Sequence, residues 1–267
     1  MATGMLFDPA EGANVDSGFY AACAGLRAQS EALEVVAHNL ANLNTAGFRG
    51  QQTAFQSLVA GSGLTVPTVL SSTLNAATNN FGVLEGSHLD TTPGNVEETG
   101  NPLDVAIEGG GYFVVETAQG RRYTRKGSFQ VSRKGILVTA AGDPVLGNLA
   151  LGPKGVINVP PGAVSIATDG TVSVNGAVAG AIQLVDFAPG TNLTSEGGTL
   201  IAAPAGSAKP AQQSTLQQGA LESSNVNSIG SVVSLIAVQR QAEMLQRAMS
   251  LFDSEFNQIA SGELARV

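Results

Sequence analysis

The stretch Val164–Phe187, VSIATDGTVSVNGAVAGAIQLVDF, decides the fold of the middle of this chain. Its β-branched runs are separated by the dipeptides Asp169-Gly170 and Asn175-Gly176. Both dipeptides are strong hairpin signals, because a type I′ turn needs two residues that tolerate positive φ. About ten short runs of this kind lie between residues 102 and 202, with no helical pattern among them. The sequence therefore predicts a compact, antiparallel, all-β central domain.

Helical spacing flanks this region on both sides, with apolar residues three, four or seven positions apart. Both patterns predict long amphipathic helices with one apolar seam each. Neither seam has an obvious place on a small β domain, so the simplest arrangement packs the seams on each other or on other chains. The predicted fold class is α+β, with long N- and C-terminal helices pairing as a coiled-coil-like inner domain. The seam residues are Phe19, Leu26, Leu33, Val36 and Leu40 in the first helix, and Ile229, Val233, Ile236, Met244 and Leu251 in the second.

Composition and hydrophobic periodicity divide the chain into four predicted parts. Residues 1–14 form an N-terminal extension, and residues 15–49 and 221–267 form a discontinuous helical domain. Residues 50–84 contain no charged side chain and no helical periodicity, which is typical of an extended connector that lies against protein. Residues 85–220 form the central β domain.

Composition excludes several classes of protein. The 267 residues include 13 basic and 21 acidic side chains, with 43% hydrophobic residues and one cysteine. This chain is too apolar to be disordered, and it cannot be a disulfide scaffold. A net charge of −8 disfavours nucleic acid and anionic membranes as partners. No apolar run approaches the ~18 residues of a membrane span, and residues 1–14 lack the features of a signal peptide, so we expect an uncleaved chain that is not inserted in a membrane.

The chain shows no pattern typical of catalysis. His38 and His88 are the only histidines and have no metal-ligand spacing around them, and Cys23 has no histidine nearby in sequence. The glycine run Gly109–Tyr112 lacks the helix and the ending of a phosphate loop, and we interpret it as a hairpin turn. We therefore expect no enzyme activity, no cofactor, no metal and no small-molecule substrate.

Six of the thirteen basic residues are concentrated between positions 121 and 134. Two interpretations stay open: a solvated face of a hairpin, or a surface complementary in charge to another acidic subunit. The residues that we consider for such an intersubunit contact are Arg121, Arg122, Arg125 and Lys126.

The exit of the first helix, HNLANLNTAGFRG at residues 38–50, closely resembles the signature of the bacterial flagellar rod and hook proteins. Three further segments agree with that family: Asn101–Val115, Tyr123–Phe129 and Gly219–Met244. The resemblance extends from about residue 15 to the C-terminus. The matching motif positions are Asn39, Leu40, Ala41, Asn42, Asn44, Thr45, Gly47 and Phe48.

The resemblance implies a structural subunit of the flagellar basal-body rod, in the periplasmic space, that assembles by helical polymerisation of its terminal helices. It further implies export in an unfolded state through the flagellar type III apparatus, with self, other rod proteins and that apparatus as partners. The short hairpin at residues 172–187 favours the proximal rod subtype, and a distal rod protein or another hook and rod member is the alternative. An alternative of another class is a self-contained soluble binding module, whose helices fold back on its own β domain.

Overall fold

The computed structural model describes residues 9–57, 82–147 and 155–264. The described chain divides into two compact units. Unit 1 takes the described parts of Met1–Ala37, Thr53–Ser87 and Ile229–Val267, and unit 2 takes His38–Gln52 and His88–Ser228. Residues 1–8 of the expected extension and residues 58–81 of the expected connector lie outside the described residues.

Two long helices belong to the described chain: α1, Pro9–Ala41, and α2, Ser228–Leu264. α1 begins ten residues before the apolar pattern does, at a proline, which suits a first helical position because proline has no N–H to leave unpaired. The expected coiled-coil pairing of the two helices is wrong. Among the described residues no such seam joins them, and the seam residues of α2 are exposed to solvent. Helical periodicity identifies an apolar face, but it carries no information about the partner of that face.

The rest of the described structure consists of short strands. In chain order, β1 to β17 are Gln51–Ser57, Gly82–Leu89, Val96–Glu98, Val105–Glu108, Tyr112–Thr117, Gly120–Thr124, Phe129–Val131, Leu137–Thr139, Val164–Ile166, Thr171–Val174, Ala177–Ala181, Leu184–Phe187, Thr194–Glu196, Leu200–Ala202, Ala208–Pro210, Thr215–Gln218 and Ala220–Glu222.

The largest sheet has six strands in the order β13-β14-β6-β5-β12-β15, and a three-stranded sheet has the order β11-β10-β9. Four two-stranded ribbons pair β1 with β2, β16 with β4, β17 with β3, and β7 with β8. Each pairing with a described register is antiparallel. Short hairpin loops join pairs such as β5–β6 and β10–β11, whereas pairs such as β4–β16 and β3–β17 join strands that are distant in sequence.

The core of unit 2 lies between these sheets and is built from alternate residues of their strands. Phe113, Val115 and Leu137 are completely buried. The rings of Phe113 and Phe129 meet edge to face with centroids 5.0 Å apart, a preferred aromatic geometry. Burying each of these large side chains contributes about 1.5–3 kcal/mol, so this cluster is the main source of stability in unit 2.

Two glycine-containing turns behave differently from each other. Asn175-Gly176 forms the expected two-residue turn, since Val174 pairs with Ala177 and both turn residues have positive φ, at 50° and 83°. The interpretation of Gly109–Tyr112 as a hairpin turn is wrong. β4 pairs with β16 and β5 pairs with β6 and β12, so the glycines carry the chain from one sheet to another.

Candidate assembly site

The C-terminal helix presents a stripe of exposed apolar side chains. Ile229 is 77% exposed, Val233 61%, Met244 63% and Leu251 66%, and Ile236 is exposed as well. Each residue of an α-helix turns the chain by about 100°, so these positions share one side of α2. Large apolar side chains rarely remain exposed in a row unless another surface covers them. We call these five residues the α2 stripe.

A second apolar row runs along the opposite side of α2. Its members are half-buried and follow one another at steps of three, four and three residues: Leu235, Val238, Ala242 and Leu245. The helix therefore carries two apolar rows, and the one with contacts in the chain is not the row that the sequence singled out. Both rows have helical spacing, so spacing alone could not tell which of them has contacts within the chain.

The predicted seam of α1 is only partly covered. Leu26, Leu33, Val36 and Leu40 are half-buried, and the side chain of Phe19 lies outside the described part. Among the described side chains of this helix, Ala28, Gln29 and Ala32 are buried. The two alanines lie four residues apart on another side of the helix. Small side chains allow a neighbouring element to approach the helix closely. The spacing of the two alanines was therefore the sequence signal that could have predicted this buried face.

The motif after α1 forms a compact set of hydrogen bonds at the helix exit. The Asn39 side-chain amide accepts from the Gln51 N–H at 2.9 Å and donates to the Gln51 carbonyl at 2.7 Å. This doubly bonded contact imitates a β-bridge and brings β1 back to the end of the helix. Asn42 donates to the His38 carbonyl at 2.9 Å, and Thr45 donates to Asn42 at 3.1 Å.

The remaining motif residues turn the chain and insert one aromatic ring. Gly47 has φ of +67°, and its N–H donates to the Glu222 carbonyl at 2.7 Å. An added Cβ at Gly47 would lie 2.3 Å from the Lys126 nitrogen, so only glycine fits. Phe48 is fully buried, and its ring lies edge-on to His38 at 5.4 Å. Leu40 is half-buried, whereas Ala41 and Asn44 are exposed.

Beneath the motif lies a buried ionic triad of Arg49, Glu222 and Arg125. The Glu222 oxygens lie 2.7 Å from Nη2 of Arg49 and 3.1 Å from Nη1 of Arg125, and each side chain is at most 3% exposed. The N–H of Gly94 also donates to Glu222, at 2.8 Å. Charged side chains are rarely buried this deeply unless they are paired.

The triad has an electrostatic imbalance of two cations to one anion. Burial lowers the pKa of Arg125, and the Glu222 carboxylate opposes that shift. The Arg125 guanidinium also lies 5.2 Å from the ring centre of Tyr112, and burial raises the pKa of that phenol. Within the described residues, Nε and Nη2 of Arg49 and Nε of Arg125 form no hydrogen bond, although Nη2 of Arg49 is ion-paired with Glu222. Glu222 therefore supplies the one carboxylate charge that both guanidinium groups share.

The basic cluster divides among three environments. Arg121 is exposed and lies 3.9 Å from Glu116, and Arg122 forms an ion pair with Glu196. Arg125 is buried in the triad, and Lys126 is half-buried. Each of these ion pairs lies within the chain, so an intersubunit role for the cluster stays a prediction.

Two cavities in unit 2 lie beside the loop that follows β12. Their volumes are about 300 and 270 Å³, and both are lined by Thr91, Gly190, Thr191 and Leu193. The second also contacts Arg125 and Tyr112. In the described part of the chain, no three potential metal ligands cluster, and no helix is long and apolar enough to cross a membrane.

Three family models match the chain at the regions described above. A flagella basal body rod protein model matches residues 19–49, a flagellar hook protein FlgE/F/G D1 domain matches residues 106–174, and a flagellar basal body rod FlgEFG protein C-terminal model matches residues 217–261. The flagellar basal-body rod protein FlgF of Mesorhizobium japonicum is 33% identical over 86% of this chain and 90% of its own length. The chain belongs to the flagellar basal-body rod protein family.

Relatives of two kinds are about equally similar to this rod protein. FlgF of Escherichia coli is 34% identical over 90% of this chain and 95% of its own length. FlgG of Buchnera aphidicola from Acyrthosiphon pisum is 32% identical over 88% of this chain and 95% of its own length. The chain is therefore a structural rod subunit of the flagellar basal body that assembles with other rod proteins, and it is not an enzyme.

Sequence reasoning about this rod protein missed Arg49, Glu222 and Asn225. Asn225 accepts from the Gly50 N–H at 2.7 Å and donates to the carbonyls of Asp90 and Thr92 at 3.1 and 3.0 Å. A charge directly after two apolar strand residues, as in Ala220-Leu221-Glu222, was the available signal for Glu222. Nothing in the spacing identifies Arg49 as its partner, because the two residues lie at opposite ends of the sequence.

Proposed function

We propose that this rod subunit assembles through the α2 stripe, which packs against neighbouring subunits, and that its place is the proximal rod. The observation that supports the stripe is its exposure along successive turns of α2. An amphipathic helix that lays its apolar face into a complementary groove is a common mode of recognition. Contacts between unlike surfaces that do not close into a ring generate open helical filaments, as a rod requires.

The proposal also assigns each region of the chain to a layer of the rod. Residues 15–49 and 221–267 contribute to the inner layer of the rod, and residues 85–220 form its outer layer. The resemblance of the motif and of the C-terminal helix to rod and hook proteins supports this division. Export in an unfolded state by the flagellar type III apparatus is part of the same proposal.

The proximal position is supported by the short β10–β11 hairpin. Its two-residue turn joins Val174 directly to Ala177, so no insertion enlarges the β domain there. The test is complementation of strains that lack either FlgF or FlgG. We expect this chain to restore swimming in place of FlgF and not in place of FlgG, and the reverse result would assign it to the distal rod.

The stripe is tested by Ile236→Asp in the full chain. A buried aspartate at a subunit interface would have to lose its hydration without a partner, so we expect loss of swimming. The purified variant should keep the helicity and thermal midpoint of the parent chain, because residue 236 is exposed in the single chain.

Ser234→Asp is the matched control for this experiment. It introduces the same charge two residues away, at an exposed polar position on a different side of α2. We expect Ser234→Asp to swim normally. Normal swimming of the Ile236→Asp strain would overturn the proposed role of the stripe.

A further inference from the structure

The chain passes between its two units four times, at positions 37/38, 52/53, 87/88 and 228/229. All four passages begin or end in unit 2 within a few residues of one hydrogen-bonded network. Asn39 follows the first passage, Gln51 and Gln52 precede the second, Asp90 follows the third and Asn225 precedes the fourth. Unit 2 therefore begins and ends at a single place, which we call the junction.

The outer part of the junction consists of amide and carbonyl contacts. Asn39 binds both backbone groups of Gln51, and Gln52 donates to the Asp90 carboxylate at 3.0 Å. The N–H of Asp90 donates to the Gly50 carbonyl at 2.8 Å. The Asn225 amide joins the segments that contain Gly50 and Asp90, because it bonds to both of them.

The inner part of the junction is the buried triad. Arg49 lies in the segment between the first two passages and donates to the Thr92 carbonyl, next to the third. The Glu222 carboxylate forms an ion pair with Arg49 and accepts from the N–H of Gly94, and its backbone carbonyl accepts from the N–H of Gly47. Arg125 attaches this set to the β domain by donating to the carbonyls of Ile107 and Gly109 at 3.4 and 2.8 Å.

The backbone of the junction is packed too closely to shift without breaking these contacts. An added Cβ at Gly94 would lie 2.0 Å from the Ser223 carbonyl oxygen. The side chains of Phe48 and Glu222 are almost wholly excluded from water. Hydrogen bonds to a buried charge are stronger than neutral ones and set the geometry more narrowly.

We propose that Glu222 is the positioning residue of the junction: its carboxylate balances the buried guanidinium groups of Arg49 and Arg125 and thereby holds residues 47–52, 90–95 and 222–225 of unit 2 in one arrangement. Without that carboxylate, two like charges remain buried side by side. They would repel each other and draw water into the junction. The segments at residues 47–52 and 90–95 would then open, while the β9–β11 sheet, which contributes no residue to the triad, stays closed. This role holds for either position of the subunit along the rod.

The test is hydrogen exchange of the purified full chain, read separately for three regions: residues 47–52, residues 90–95, and residues 164–181 as an internal reference. Glu222→Gln keeps the size of the side chain and removes its charge. Breaking a buried ion pair is a large perturbation, so we expect exchange about 100-fold faster in the two junction regions. The reference region should keep its parent rate. Uniform acceleration of all three regions, or no change at the junction, would overturn the proposal.

Glu98→Gln is the matched control, because Glu98 is an exposed carboxylate on β3, the strand that pairs with Glu222's own strand. We expect it to exchange like the parent chain. Arg49→Met completes a double-mutant cycle. Since it removes one of the two buried cations, it should bring the exchange of Glu222→Gln back to within about tenfold of Arg49→Met alone. Additive effects of the two substitutions would contradict the charge-balance role.

If Glu222→Gln does not fold, Asn225→Ala tests the same arrangement from the half-buried edge of the junction. It removes the bonds to Gly50, Asp90 and Thr92 and leaves the triad intact. We expect exchange at 47–52 and 90–95 to rise about tenfold, since lost hydrogen bonds of this kind are individually modest. The exposed residue Asn192 supplies the control Asn192→Ala, and equal exchange in both variants would overturn the proposal.

Discussion

Unit 2 and the C-terminal helix use large apolar side chains in opposite ways. In unit 2, Phe113, Val115 and Leu137 have no exposed surface, whereas in α2 Ile229 and Leu251 face solvent. Apolar burial is the dominant favourable contribution to folding. Unit 2 buries its large apolar side chains within the chain, whereas the α2 stripe remains exposed. The difference teaches that one chain can bury the large apolar side chains of one region and leave those of another exposed, as the proposed assembly role of α2 requires.

The largest effect on stability is expected from removing a large buried side chain in the core of unit 2. Phe113→Ala removes a fully buried ring and its contact with Phe129. We expect the free energy of unfolding to fall by about 3–5 kcal/mol, from lost burial and the cavity left behind. Denaturant titration of the purified chain measures this. Val178→Ala, at an exposed position of the same unit, is the control and should change stability by less than about 0.5 kcal/mol.

A smaller effect is expected at the β10–β11 turn. Asn175 has φ of 50°, a conformation that alanine adopts at a cost of about 1–2 kcal/mol. Asn175→Ala should therefore be less stable than Asn175→Gly by about 1 kcal/mol, although both variants lose the side-chain bond to the Ala163 N–H. Thermal unfolding of the two variants compares them directly. Equal stability would show that the turn does not hold this conformation in solution.

Alkaline pH should weaken unit 2 through Tyr112. Burial raises the pKa of this phenol, so the folded state keeps the proton to a higher pH than the unfolded state does. The stabilisation is complete below the ordinary tyrosine pKa of about 10 and is lost as pH rises through the folded-state pKa. Unfolding free energies of the parent and of Tyr112→Phe between about pH 9 and 11 test this. The slope should be shallower in Tyr112→Phe, and identical slopes would rule out Tyr112 as the source.

The smallest effect on the isolated chain is expected in the α2 stripe. Met244→Ser replaces a side chain that is exposed there, so the free energy of unfolding should change by less than about 0.5 kcal/mol. The same variant should impair swimming if the stripe is covered in the rod. A loss of more than about 1 kcal/mol in the purified chain would mean that Met244 already has partners within it, which would remove the contrast between the two regions.

Local structure was the part of the fold that could be predicted from sequence. The turn at Asn175-Gly176 depends on local sequence only, because the two residues tolerate the required positive φ and the strands that they join are adjacent in sequence. The ends of the helices were less predictable: α1 starts at Pro9, where no apolar pattern marks it. Gly109 and Gly111 looked like a hairpin from their neighbours alone, but strand pairing with β16 decides the path of the chain there.

Partnership between distant residues could not be predicted. The apolar rows of α1 and α2 indicated which faces avoid water, and nothing in the rows specified what covers them. The triad was missed for a related reason. Arg49 and Glu222 look like ordinary surface charges until folding places them in contact, and their burial depends on the apolar residues around them rather than on their own spacing.

The single location of the junction has a consequence for how such proteins change. Because Gly50 bonds to both Asp90 and Asn225, the two ends of residues 88–228 lie side by side. A segment with adjacent ends can be inserted into a chain, lengthened or exchanged without stretching the chain around it, and domain insertions are tolerated at such places. Residues 88–228 therefore have the geometry of an exchangeable domain whose two ends meet at the junction.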